Sequence, residues 1–192
     1  MVLNIDWSLF KVEMGLVALT FAALIFDLFL KDDPRRGIRL ANLAMLGVAL
    51  LIGVLCMDGI RLGSALKGTF VQDGLSFYFK LLFLLAGLFA LFMAREYQGR
   101  LTRGQGEFTL LILFALTGMV FLATAADFLL FFVALETMTM SLIIMTAYLR
   151  DKNSSIEAGV KYLVLGALST AVFLYGLSFI YGSTGSTSYG II

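Results

Sequence analysis

The sequence predicts an all-α membrane protein, a polytopic bundle of six transmembrane helices with both termini on the non-cytoplasmic side. Three observations carry this. The 192 residues are 60% hydrophobic and 14% charged, with a mean hydropathy of +0.97; soluble domains are about 45–50% apolar and about 25% charged. Six apolar runs follow one another, at 12–30, 38–57, 75–93, 108–126, 128–149 and 156–181, each about the ~20 residues a helix needs to cross a hydrocarbon core of about 30 Å. Lys and Arg are also unequally shared. The first, third and fifth connections hold Lys31, Arg35, Arg36, Arg39, Arg95, Arg100, Arg103, Arg150 and Lys152, whereas the opposite side holds Lys11, Arg61 and Lys67. Positive charge stays on the cytoplasmic side.

Composition also narrows function. A net charge of +1 without a basic, aromatic-interleaved patch gives no sign of nucleic-acid binding. The chain has no His and one cysteine, Cys56, so a protein-ligated haem, iron–sulfur cluster or zinc is not expected, nor is an intramolecular disulfide. The segment "GSTGST" near the C-terminus lacks the Lys of a phosphate loop. The start carries Asp6 and Glu13 against Lys11 alone, which does not suit a secretory leader, so the first run is read as a helix of the mature chain.

The elements follow in order. The first helix ends near Asp27, four residues before Lys31 and in position for an interfacial pair. "KDDPRRG" holds the only proline and makes the first turn. In the third helix Lys80 lies five residues inside the run, near enough to the end for its stem to snorkel. "REYQGRLTRGQGE" is a polar loop. The fourth and fifth runs are split only at Ala125-Ala126-Asp127; Asp127 is a good N-cap, and a tight hairpin is expected there. Ser154 and Glu157 read as a capping box opening the sixth helix. That helix carries small residues at Gly166, Ala167, Ser169, Thr170 and Ala171, suited to close packing. Trp7, Tyr175 and Tyr181 on one side, and Tyr97, Tyr148 and Tyr162 on the other, fit interfacial belts.

The candidate site begins with "FFVALETMTM". In the run 128–149 the single acidic or basic residue is Glu136. It lies roughly 12 Å from one end of its helix and roughly 20 Å from the other at about 1.5 Å per residue, too deep for its short stem to reach water. A carboxylate at such depth costs about 2.5–3.5 kcal/mol on the insertion scale and marks an ion path or proton relay by default. Thr139 shares its face and is in reach of a hydrogen bond. A protonated carboxyl joining two helices is the structural alternative. Lys161 is the second candidate. Its stem could reach back to the interface and pair with Glu157, four residues before it, or its place near a helix N-terminus could ready it to lose a proton. The two candidates lie at different depths, so a direct ion pair between them is not expected, and no other basic residue is an obvious mate for Glu136.

The stretch from Asp127 to Gly185 resembles the N-type antiporter-like subunit of proton-pumping NADH–quinone oxidoreductase, respiratory complex I. The residues that carry it are the membrane Glu in "ALE", the helix start "EAGVKYLVLGA" and its end "LYGLSFIYGSTG". The resemblance implies a membrane-arm subunit that helps move protons while another arm passes electrons from NADH to quinone. It implies that Glu136 matches the key carboxylate of the fifth helix and Lys161 an intramembrane lysine of the sixth, both in a proton relay. It implies no cofactor on this chain; NADH, flavin, iron–sulfur clusters and quinone are expected on partner subunits. The partners implied are the other membrane-arm subunits and the lipid bilayer, in a bacterial inner membrane or the equivalent organelle membrane. Family members have about fourteen helices, so residues 1–192 read as a single transmembrane domain, the N-terminal six helices of a larger antiporter-like fold. Such a piece would not hold the family's complete proton channel. A subunit of a multisubunit cation/proton antiporter or membrane-bound hydrogenase, and a non-pumping structural module, are the alternatives.

Overall fold

The computed structural model describes residues 7–29, 35–97 and 105–192. Lys31, Arg100 and Arg103 of the charge count, and the expected Asp27–Lys31 pair, lie outside the described residues, as does the Trp7 side chain.

Six helices form: α1 Lys11–Phe29, α2 Arg36–Asp58, α3 Gly74–Tyr97, α4 Gln105–Leu122, α5 Phe128–Thr146 and α6 Asn153–Thr184. All but α4 are long and apolar enough to cross a membrane, and α4 is a shorter apolar helix. The chain is thus an all-α, multi-pass membrane protein, as the apolar runs predict. Helices are forced on such a sequence because lipid offers no partner for open backbone groups.

Helices α1 to α4 pack mutually into a bundle, α5 packs closely on α4, and α6 packs on α5. The bundle core is aliphatic, with Leu16, Leu40, Val48, Leu84, Leu91 and Leu113 fully buried. Between helices in lipid, close packing and interhelical hydrogen bonds replace the hydrophobic effect as the cohesive force. Gly118 shows how close the helices come: a Cβ there would lie 2.6 Å from the Ala134 carbonyl oxygen of α5. Helix α6 is tied to α5 by Phe173, whose ring stacks on Phe131 and Phe132 at 5.8 and 6.1 Å.

The sequence reading did not anticipate a β-hairpin between α2 and α3. Strands β1 Gly63–Ala65 and β2 Phe70–Gln72 pair antiparallel, Ala65 opposite Phe70. The α4–α5 turn lies alongside: Val71 N–H donates to Thr124 O and Ala126 N–H to Thr69 O, both at 2.9 Å. Tyr189 N–H donates to Ala126 O at 3.1 Å and Phe128 N–H to Thr187 O at 2.9 Å. Three irregular segments therefore satisfy one another's backbone over one end of the molecule. This explains why α4 stops at Leu122, short of the expected 126: residues 124–126 are engaged with the hairpin.

Asp127 caps α5 as expected, its Oδ1 accepting from Leu129 N–H at 2.8 Å. The Ser154 capping box does not form. The residue at the N-cap of α6 is Lys152, without a side-chain cap, and Ser155 Oγ instead donates to Thr146 O at 2.7 Å, docking α6 onto the end of α5. The Gly-rich "GSTG" ends α6: Gly185 is left-handed at φ 67°, and its N–H closes on Tyr181 O at 2.8 Å.

Candidate functional site: intramembrane carboxylates

Helix α5 projects Glu136 into a groove of about 660 Å³ between α5 and α6, lined also by Thr139, Tyr162, Gly166, Thr170 and Phe173. The small residues of α6 open this groove. Thr170 Oγ1 donates to Glu136 Oε1 at 2.6 Å. A hydroxyl can donate to a carboxylate and, after rotation, accept from a carboxylic acid, so this partner serves either protonation state. Thr139 does not reach the carboxyl; its hydroxyl donates to the Glu136 backbone carbonyl at 3.2 Å. Thr170, seen in the sequence only as a packing residue, is the partner, 34 positions away.

Lys161 lies on the same helix as Thr170 but nine residues earlier, roughly 13 Å at about 1.5 Å per residue. Its Nζ is 2.5 Å from Glu157 Oε1, and both side chains are largely exposed, at 70% and 65%. The two sequence candidates are not brought together, as their depths implied. Among the described residues no cation forms an ion pair with Glu136.

A second acidic group in a spanning helix went unread. Glu13, in the first turn of α1, is fully buried, and its Oε1 lies 2.5 Å from Lys80 Nζ on α3. Lys80 therefore does not snorkel: it is 0% exposed, donates to Gln72 Oε1 at 3.2 Å, and lies 5.4 Å from the Phe70 ring centre, in cation–π range. The hairpin that carries Gln72 and Phe70 covers the lysine and removes the route to water. One signal was available: Glu13, Thr20 and Asp27 recur every seven residues and so share one face of α1. All three are buried. Thr20 faces the Thr117 hydroxyl of α4 at 3.4 Å.

Asp27 marks the other end of that face. Arg36 holds it through Nε at 3.2 Å and Nη2 at 3.3 Å, and Arg36 also lies 3.7 Å from Glu107. Nearby, in the α5–α6 connection, burial and then the Glu107 charge push the Tyr148 phenol up to about 12. Tyr189, in the C-terminal segment, is likewise raised, by burial and then by Asp127. Among the described residues no cluster of His, Cys, Asp or Glu could hold a metal ion.

Residues 125–192 match the family model described as NADH:quinone oxidoreductase/Mrp antiporter, transmembrane. A bundle of apolar helices with a carboxylate at an internal helix groove fits that class of antiporter-like membrane subunit. Within it, the chain is a relative of subunit N of NADH-quinone oxidoreductase: it is 33% identical to that protein of Desulforamulus reducens over 98% of this chain and 39% of the relative. It is 38% identical to subunit N of Desulfitobacterium hafniense over 96% of this chain and 37% of the relative. Respiratory complex I from Thermus thermophilus contains a chain that superposes with a TM-score of 0.75 at 32% identity, covering 92% of this chain and 38% of that one. The archaeal membrane-bound sulfane sulfur reductase shares the fold, with a TM-score of 0.74 at 22% identity over 93% of this chain and 38% of its own. The family resemblance read from the sequence is borne out. The chain spans about two fifths of the length of these curated relatives.

Proposed function

We propose that this chain contributes to proton translocation in the membrane arm of an NADH–quinone oxidoreductase, coupled to electron transfer carried out on other subunits. The observation that carries the reading is Glu136: a carboxyl within a spanning helix, held by a hydroxyl in a groove, in a chain related over nearly its whole length to subunit N. Glu136 is the relay carboxylate and Thr170 its local proton-sharing partner. Lys161 is the second relay group, reached from Glu136 through intervening groups rather than by contact, and its bridge to Glu157 is the resting arrangement. NADH, flavin, iron–sulfur clusters and quinone belong to partner subunits, and the complex sits in a bacterial inner membrane or its organelle equivalent. The subunit N relatives favour this over a cation/proton antiporter or a hydrogenase subunit.

The test is Glu136→Gln in the assembled complex in sealed vesicles. Gln keeps the size and the bond to Thr170 but cannot titrate. NADH oxidation by quinone and complex assembly should persist while protons moved per electron fall. An unchanged proton-to-electron ratio in normally assembled complex would leave Glu136 a structural carboxyl.

A further inference from the structure

We propose that Glu13 and Lys80 form a second proton-exchanging pair of this subunit, beneath the hairpin and separate from the Glu136 groove. The inference rests on the reading that the chain takes part in proton transport.

Four observations carry it. The pair is completely buried, Glu13 and Lys80 both at 0% exposure, although each lies within a few residues of a helix start where its stem would ordinarily reach water. The Nζ to Oε1 separation is 2.5 Å, short enough for one proton to be held by either atom. Transfer converts the ammonium and carboxylate into an amine and a carboxylic acid: the N–H bond breaks, an O–H bond forms, and no net charge is created or lost. Glu13 Oε2 is buried with no hydrogen-bond partner among the described residues, so the carboxyl keeps an unsatisfied acceptor for a further proton donor. A tie evolved only to hold α1 against α3 would be expected to satisfy that oxygen. Finally, Gln72 and Phe70, which contact the lysine, are borne on a strand rather than on a spanning helix. The cover of the pair is thus an element separate from the helices that carry it.

The charged surroundings are sparse. Lys80 of α3 is the charged side chain that acts on Glu13. Lys11 of α1, Asp58 of α2 and Arg61, which follows α2, are taken up with one another at 2.6–3.0 Å. The hairpin contributes Gln72 to the pair. On the buried face of α1 the next polar group is Thr20, bonded to Leu16 O and facing Thr117 of α4.

Removing one partner leaves an unpaired buried charge, whereas replacing both with neutral groups of similar size commonly restores packing. The decisive variant is therefore Glu13→Gln with Lys80→Met in the whole complex, in sealed vesicles, with rates normalised to the amount of chain assembled. We expect NADH oxidation to persist and the proton-to-electron ratio to fall at least twofold. A wild-type ratio in the assembled double variant overturns the proposal. Should the double variant not assemble, Glu13→Asp keeps charge and pairing but lengthens the gap to the amine: a shifted pH profile of proton transport at unchanged electron transfer supports the proposal, and a superimposable profile overturns it. Failure of the underlying reading looks different, because then wild-type vesicles show no proton movement that depends on Glu136 either.

Discussion

At the scale of single residues, what the sequence reveals is a charge without company, and what it hides is the company. Glu136 is legible because it is the only charged residue in a run of apolar residues. Thr170 is not, because the contact joins positions 34 apart through the packing of α5 on α6. Lys80 misleads for a related reason: its distance from the helix end permits snorkelling, and only the hairpin decides otherwise. Tyr148 offers a direct check on burial at this scale. Its phenol, held at about 12 by burial and Glu107, stays neutral in the native state after an unfolded tyrosine, near 10, has ionised. The native state then binds the extra proton, so stability is unaffected below about pH 10 and falls as pH rises from there through 12. An ultraviolet tyrosinate titration of the chain in detergent should show a late step that Tyr148→Phe removes. Loss of a step near pH 10 instead would place the ring in water.

At the scale of elements, hydropathy finds the helices because lipid leaves a 20-residue apolar segment no other solution. It does not find the hairpin. Each strand is three residues long, and their stability comes from bonds to residues 124–126, which lie outside any local window. The capping box fails for a similar reason: Ser155 is worth more to the chain docked on Thr146 O than Ser154 is as a cap. The α4–α5 contact gives the test. Gly118→Ala places a Cβ 2.6 Å from a backbone oxygen that cannot turn aside, whereas Gly53 has nothing within 4 Å. Thermal unfolding in detergent should show Gly118→Ala losing about 1–3 kcal/mol, the usual cost of overpacking, and Gly53→Ala losing nothing. Equal effects at both positions would mean that α4 and α5 are not in close contact.

At the scale of the whole molecule, the distribution of Lys and Arg predicts that the hairpin end faces the non-cytoplasmic side. Ser64, exposed on β1, can report this. With Cys56, the single cysteine, replaced by Ser, Ser64→Cys should react with a membrane-impermeant maleimide added to the non-cytoplasmic face. Reaction only from the cytoplasmic face would invert the topology. The two carboxylates also differ in how they are built into the molecule. Glu13 and Lys80 come from the first and third helices and are closed over by the segment between α2 and α3; Glu136 waits for α6, which touches the rest chiefly through α5.

That difference sets an order of birth. Chains fold from the N-terminus as the ribosome extends them, so α1, α2, the hairpin and α3 are available to each other before residue 100 has been made. The Glu13–Lys80 contact is the earlier of the two, available once α3 has followed α1 into the bilayer. Glu136 enters the bilayer some 34 residues before the hydroxyl that will hold it. During that interval α5 must be shielded by α4 or by the insertion machinery. The α5–α6 contact is thus a later step than the α1–α3 contact, and a separate point at which a slowed ribosome or a missing insertion factor would be felt.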